Sequence, residues 1–232
     1  MKNRILYATV VTAGLLTACA PQPPAGPPAK AGPAEFPEAY YLQAAAAGKP
    51  VFRIDPARSL VVVEVRRGGS LAKFGHDHVV ASHDVTGFVA AAEGRSDLHV
   101  ALDRLVVDEP ALRAEAGFDT QPSESDIAGT RRNMLERVLD TAQYPFATVR
   151  VSRAGGDARM LEVAVTLHGV TKAVQVPAQI ESAGEELGVS GRLSLNQTDF
   201  GITPFSILGG AIQVQDRVDL RFRIHARRMS AG

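Results

Sequence analysis

The chain has no tryptophan, a single cysteine and no surplus of either charge. Lys and Arg together number 25, and so do Asp and Glu. That balance offers nothing to a polyanionic nucleic acid. Aromatic residues are only 6% of the chain, too few for a base-stacking surface. There is no Gly-x-Ser-x-Gly elbow and no Gly-rich phosphate loop, and the one thiol lies near the N-terminus. The reading is therefore of a protein that is not an enzyme and has no cofactor. Strand–helix–strand alternation is missing, which argues against a parallel sheet, and no repeat at solenoid period is visible. What the sequence does have is 232 residues with 45% hydrophobic content, enough for a sizeable core.

The N-terminus carries an address. Lys2 and Arg4 precede an apolar run from Ile5 to Leu16, too short for a comfortable membrane span. Leu16-Thr17-Ala18-Cys19 follows. A basic start, a short apolar segment and small residues at the cut make a secretory signal. Its ending resembles the lipobox of bacterial lipoproteins, which implies acylation of Cys19 and attachment to the cell envelope, facing the periplasm. The same resemblance, with Ala20 rather than Asp after the cysteine, implies passage to the outer membrane. Without residues 1–18, which hold Lys2 and Arg4, the balance is 25 − 2 = 23 basic against 25 acidic, or −2. The following stretch, Pro21 to Pro37, is rich in Pro, Ala and Gly and suits a semi-rigid tether. The expected division is a signal at 1–18, a tether at 19–48 with a short helix within Glu38–Gly48, and a folded domain at 49–228.

The domain reads as strands. Leu161, Val163, Val165 and Leu167 alternate with Glu162, Ala164, Thr166 and His168, and the pattern resumes after Gly169 at Val174, Val176, Ala178 and Ile180. Period two with a short Gly-containing connection predicts an antiparallel hairpin. Similar alternation runs through Ser59–Arg66, Leu98–Val107, Phe146–Val151, Val189–Asn196 and Val218–His225, with a weaker strand over Val79–Ala92. One stretch departs from it. Ser123, with Asp126 three residues on, begins a segment whose Ile127, Met134, Leu135, Val138 and Leu139 share one helical face. Roughly eight strands and one amphipathic helix predict an all-β antiparallel barrel or sandwich.

Several local stretches sharpen this. Phe52-Arg53-Ile54-Asp55, Asn133-Met134-Leu135, Ala142-Gln143-Tyr144-Pro145-Phe146, Leu167-His168-Gly169-Val170-Thr171-Lys172 and Thr198-Asp199-Phe200-Gly201-Ile202 occur in that order. With them the chain resembles the YceI-like, polyisoprenoid-binding family over Val51 to Arg227. The resemblance implies an eight-stranded lipocalin-like barrel whose hollow holds an isoprenoid-type lipid. The residues expected to line it are Val61, Val63, Val65, Leu98, Val100, Leu102, Val163, Val165, Leu167, Val174, Val176, Leu193, Leu195, Leu220 and Phe222. A barrel of this size is either filled by its own side chains or holds one small ligand.

The chain departs from that family's common pattern at Phe74-Gly75-His76-Asp77-His78, with His83-Asp84 soon after. His76 and His78 on one strand would share a face and could take part in a divalent metal site. Alternatively His76, Asp77, His78 and His83 form a polar mouth to the barrel. His99 and His225 fall on the expected outer face. Three functions follow: a non-catalytic periplasmic lipid carrier or sensor, a metal-binding protein or hydrolase using the His cluster, or a structural envelope lipoprotein with a filled barrel.

Overall fold

A computed structural model of the protein describes residues 32–153 and 160–230. The expected signal segment, Cys19 and most of the Pro-rich stretch lie outside the described residues. Twelve strands form one closed antiparallel sheet. They are β1 (Val51–Ile54), β2 (Leu60–Gly68), β3 (His78–Ser82), β4 (Val85–Ala90), β5 (Arg95–Ala101), β6 (Val106–Val107) and β7 (Phe146–Arg153), then β8 (Met160–Leu167), β9 (Val170–Ala183), β10 (Glu186–Asn196), β11 (Ser206–Ile207) and β12 (Ile212–Arg228). β1 and β2 make one wall position interrupted at Pro56–Arg58; β3 with β4, and β5 with β6, do the same. With β7, β8, β9, β10 and β12 this gives eight positions. The ring closes where β12 pairs with both β1 and β2, while the β9–β10 ladder joins only Ala178–Ala183 to Glu186–Gly191. The weak strand expected over Val79–Ala92 is two strands, β3 and β4, broken at His83–Asp84.

The β8–β9 hairpin forms as the alternation predicts. His168 and Gly169 both have positive φ, 51° and 76°, the backbone of a type I′ turn. Gly169 is needed for a second reason: a Cβ there would lie 2.8 Å from Cε1 of Tyr144. The Tyr144 and His168 rings meet at a tilt of 52° with centres 4.5 Å apart, so the Tyr144-Pro145 and His168-Gly169 motifs meet in space.

Helix α3 (Glu124–Asn133) begins with the expected capping box. The Ser123 Oγ accepts from the Asp126 amide at 3.2 Å, and the Asp126 carboxylate accepts from the Ser123 amide at 3.0 Å. A π-helical turn, Met134–Val138, extends it.

Three α-helices are present among the described residues: the amphipathic one, the short one expected within Glu38–Gly48, and one not expected. α1 (Glu38–Ala46) lies within the stretch assigned to the tether, yet it packs on the outer wall through Tyr41, Ala44 and Ala45 against Val51, Phe88 and Ala90. The folded part therefore begins before residue 49. Tyr41 is fully buried, and its hydroxyl donates to Asp97 at 2.7 Å. Burial first, and the neighbouring Asp97 second, push the phenol pKa well up. α2 (Pro110–Ala116) was not anticipated. It covers the outer side of Val62, Val79 and Ala81 with Leu112. Pro110 at its first turn and Gly117 with φ 67° just beyond its end are ordinary helix boundaries.

Candidate functional site

Register decides which side chains face the lumen. Phe222 opposes Val61, Leu220 opposes Val63 and Leu193, and Val218 opposes Val65 and Leu195. Val163 opposes Val174 and Val151, Val176 opposes Leu161, and Val165 opposes Val149. Val149 in turn opposes Leu98, and Val100 opposes Val85. Residues paired across a ladder point to the same side of the sheet. These chains of pairs run into Phe52, Ile54, Val85, Val100, Leu187, Ile224 and Ala226, which pack on one another from β1, β4, β5, β10 and β12. Helices α1 and α2 cover the opposite face of the same sheet through Val51, Phe88, Ala90, Val62, Val79 and Ala81, which identifies this one as the inner face. Leu167, beside the turn, opposes Val170 on the same face. Leu102 is the exception. It is buried, but it lies in the short helical turn Leu102–Arg104, where its amide donates to Pro145 O at 3.0 Å.

The inner face is filled in one region and not in another. Around Phe52, Ile54 and Val85 the side chains are buried. Along β2 and the facing halves of β10 and β12, Val61, Val63, Val65, Leu193, Leu195, Val218 and Leu220 are only half-buried. An inward apolar side chain that keeps accessible surface borders unfilled space. At the end of these strands, the loops after β2 and before β12 are tied by the Leu71 amide donating to Ala211 O at 2.8 Å. Leu71, Phe74, Ile207 and Leu208 stand exposed there, Phe74 at 65% and Leu208 at 71%.

Helix α3 crosses the same end. Its Thr130 Oγ1 lies 3.4 Å from Nε2 of inward-facing His78, and Arg131 donates to Asp103 O at 2.6 Å. At the other extreme of the π-helical turn, the Arg137 guanidinium lies over the Phe205 ring, 5.1 Å from its centre. The helix thus spans from β3 to the loop before β11.

The sequence cluster His76, Asp77, His78 and His83 is split among different partners. His78 Nδ1 meets the Asp108 carboxylate at 2.6 Å. Asp108 also accepts from the Val79 amide at 3.0 Å and from Arg113 at 2.6 Å. Burial alone would push the Asp108 carboxyl up, but the bonds from His78, Val79 and Arg113 hold it below the usual range. Asp77 accepts from the Arg67 amide at 2.8 Å. His76 lies 4.0 Å from Asp126, and His83 pairs with Glu109 at 2.8 Å. Among the described residues, no three His, Cys, Asp or Glu side chains are placed to hold a metal ion. Asp108, Arg113 and Thr130 were not foreseen; the one sequence signal was Asp108-Glu109-Pro110, which reads as a helix start.

His99 is on the outer face, but it is covered. Phe36 and Phe146 make edge contacts with its ring at 4.7 and 5.5 Å, and its Nδ1 is buried with no hydrogen-bond partner. Burial lowers its pKa, against the opposing influence of Asp84 and Glu38.

An eight-stranded antiparallel ring with an apolar inner face, packed in one part and unfilled in another, defines the class of lipocalin-like barrels. Residues 52–226 match the YceI-like domain, and the chain belongs to that family. No curated protein matches it. Among solved structures, it is similar to a polyisoprenoid binding domain from Saccharophagus degradans implicated in plant cell wall breakdown. That likeness has 14% identity and a TM-score of 0.53, covering 77% of this chain and 98% of the other. It is also similar to BcnA of Burkholderia cenocepacia at 15% identity and TM-score 0.50, covering 74% and 98%.

Proposed function

We propose that the unfilled part of the barrel takes the apolar chain of an isoprenoid-type lipid, and that the protein is a non-catalytic carrier or sensor of that lipid. The observation that carries this reading is the row of half-buried inward residues, Val61, Val63, Val65, Leu193 and Leu220, beside a packed floor. An isoprenoid tail makes no directional bonds, so its affinity comes from apolar surface removed from water, about 25 cal/mol per Å² before the costs of binding. The family and the polyisoprenoid-binding character of the Saccharophagus degradans domain support the same ligand class. The exposed rim of Leu71, Phe74, Ile207 and Leu208 gives the tail an apolar path to the lumen. Acylation at Cys19 would hold the barrel at the periplasmic side of a membrane, most consistently the outer one, where such a lipid is met. Mass spectrometry of an organic extract from the purified protein tests the reading. A stoichiometric prenyl lipid is the expected result; a lipid-free protein that takes up none when offered prenyl alcohols and phosphates overturns it.

A further inference from the structure

The outer wall carries a groove of about 1230 Å³ that the lumen does not account for. Its lining includes Leu60, Val62, Gln179, Ser190, Arg192, Arg221 and Arg223. In strand register most of these alternate with the inward residues, so the groove lies outside the barrel, over β9, β10, β12 and β2. Its charge is unusual for a sheet surface. Arg192 and Arg221 are directly opposed in the β10–β12 ladder, and Arg223 opposes Ser190 two positions along. Directly opposed side chains have Cβ atoms only about 5 Å apart, and like charges so placed repel. Among the described residues, the compensation is incomplete. Arg221 reaches Glu115 at 2.7 Å and lies 3.9 Å from Glu64, but its Nη2 is buried without an acceptor. Arg192 and Arg223 make no ion pair among the described residues, and Glu181 is the only acid in the lining.

The geometry points to a binding site for a phosphate-type oxyanion on this outer groove, with half-buried Leu60 as the apolar side chain beside it. A guanidinium offers a planar fork of donors that matches a phosphate group, and adjacent forks from Arg192, Arg221 and Arg223 suit a group with several anionic oxygens. An oxyanion there turns the repulsion between opposed arginines into shared attraction and supplies acceptors for donors that have none. Ser190 and Gln179 provide neutral hydrogen bonds at the edge. Leu60 gives the groove an apolar edge, while Val62 beneath it is buried against Leu112 of α2. The ligand is thus a phosphate group, either free or as the headgroup of a lipid. Ala178, Ile180, Gly191 and Phe222, of the inward register, also border the groove, but the three arginines lie on the outer face, and their anion does not depend on what the lumen holds.

Calorimetry with two probes separates the sources: inorganic diphosphate, and dihexanoyl phosphatidate, which adds short acyl chains to a phosphate. The variant Arg192→Ser/Arg223→Ser removes two arginines with no ion pair, so the fold is retained, as circular dichroism will verify. Diphosphate binding by the wild type that weakens roughly tenfold or more in the variant, and falls with added salt, supports a site for free phosphate groups. Binding of phosphatidate alone, lost in the variant, supports a lipid headgroup. Binding of neither probe, or equal binding by wild type and variant, overturns the proposal.

Discussion

Asp108 shows how a single residue holds together parts of the chain that alternation alone does not connect. Its backbone has φ 58°, a left-handed conformation that Asp and Asn adopt more readily than most residues. From there its buried carboxylate joins the start of β3, through Val79 and His78, to Arg113 on α2. Asp108→Asn keeps the backbone preference and the size but removes the charge, leaving Arg113 buried without its counter-ion. Breaking one side of a buried pair costs about 3–5 kcal/mol. Urea unfolding of the variant is expected to show a loss in that range; a loss under about 1 kcal/mol, the worth of an exposed pair, would show that solvent compensates Arg113. His99 gives a pH-dependent counterpart. Its folded pKa lies below the ordinary histidine value of about 6.5, so the unfolded chain binds the proton more readily. Its contribution is fully present above that value and is lost as pH falls through the lower folded pKa. His99→Phe, filling the site between Phe36 and Phe146, is expected to flatten the fall in unfolding midpoint between about pH 7.5 and 5.5, the range around the ordinary value. An unchanged slope would assign the dependence to the other histidines.

At the scale of elements, local signals were legible where one physical requirement dominated. The long strands β8, β9, β10 and β12 show period two because one face meets the lumen and the other meets water. α3 is marked by its capping box, since Ser123 and Asp126 satisfy each other's backbone donors. That cap is expected to be worth about 1 kcal/mol: Ser123→Ala should lower stability by about that much and speed amide exchange in the first turn of α3 more than in β8. Equal exchange in both would mean that α3 opens only with the whole barrel. Other features were less legible because they depend on neighbours distant in sequence. α1 looked like tether because its Ala-rich segment lacks a strong apolar stripe; its place depends on Tyr41 reaching Asp97, 56 residues away. α2 is only seven residues long, and its boundary signals, Pro110 and Gly117, were outweighed by the strand pattern before them. Leu102 continues the alternation of Leu98 and Val100, yet the chain turns there, so pattern alone put it in the lumen wall. The His cluster was legible as a group of residue types, but not its partners. His78 points inward opposite Val65, while His83 lies in the break between β3 and β4.

The whole molecule poses a choice that sequence could not make, between a barrel filled by its own side chains and one with room for a ligand. Both predict the same alternating apolar strands. They differ in how the centre responds to added bulk, and Leu220 is the place to ask. It lies between Val63 and Leu193 in the ladders, in the region where inward side chains are half-buried. Leu220→Trp adds a large apolar group without adding charge. In a close-packed core the extra volume forces rotamers and backbone aside, at a cost of about 1–3 kcal/mol. In an unfilled lumen the indole gains contacts instead, so stability holds or rises, while the space for an isoprenoid tail is lost. The expected outcome is therefore a folded protein, at least as stable as the wild type once both are stripped of lipid, that co-purifies with much less lipid. A companion change, Leu220→Arg, should empty the barrel through a different cause, because it buries an unpaired charge or draws water among Val61, Val63 and Leu193. Neither variant touches Cys19, so the proposed acyl attachment is tested separately: wild type in the membrane fraction and Cys19→Ser released from it is the expected outcome, whatever the lumen holds. A Leu220→Trp protein that is destabilised by about 1–3 kcal/mol, with the wild type free of lipid, would establish the filled barrel. A stable variant stripped of lipid would establish the lumen as the ligand site.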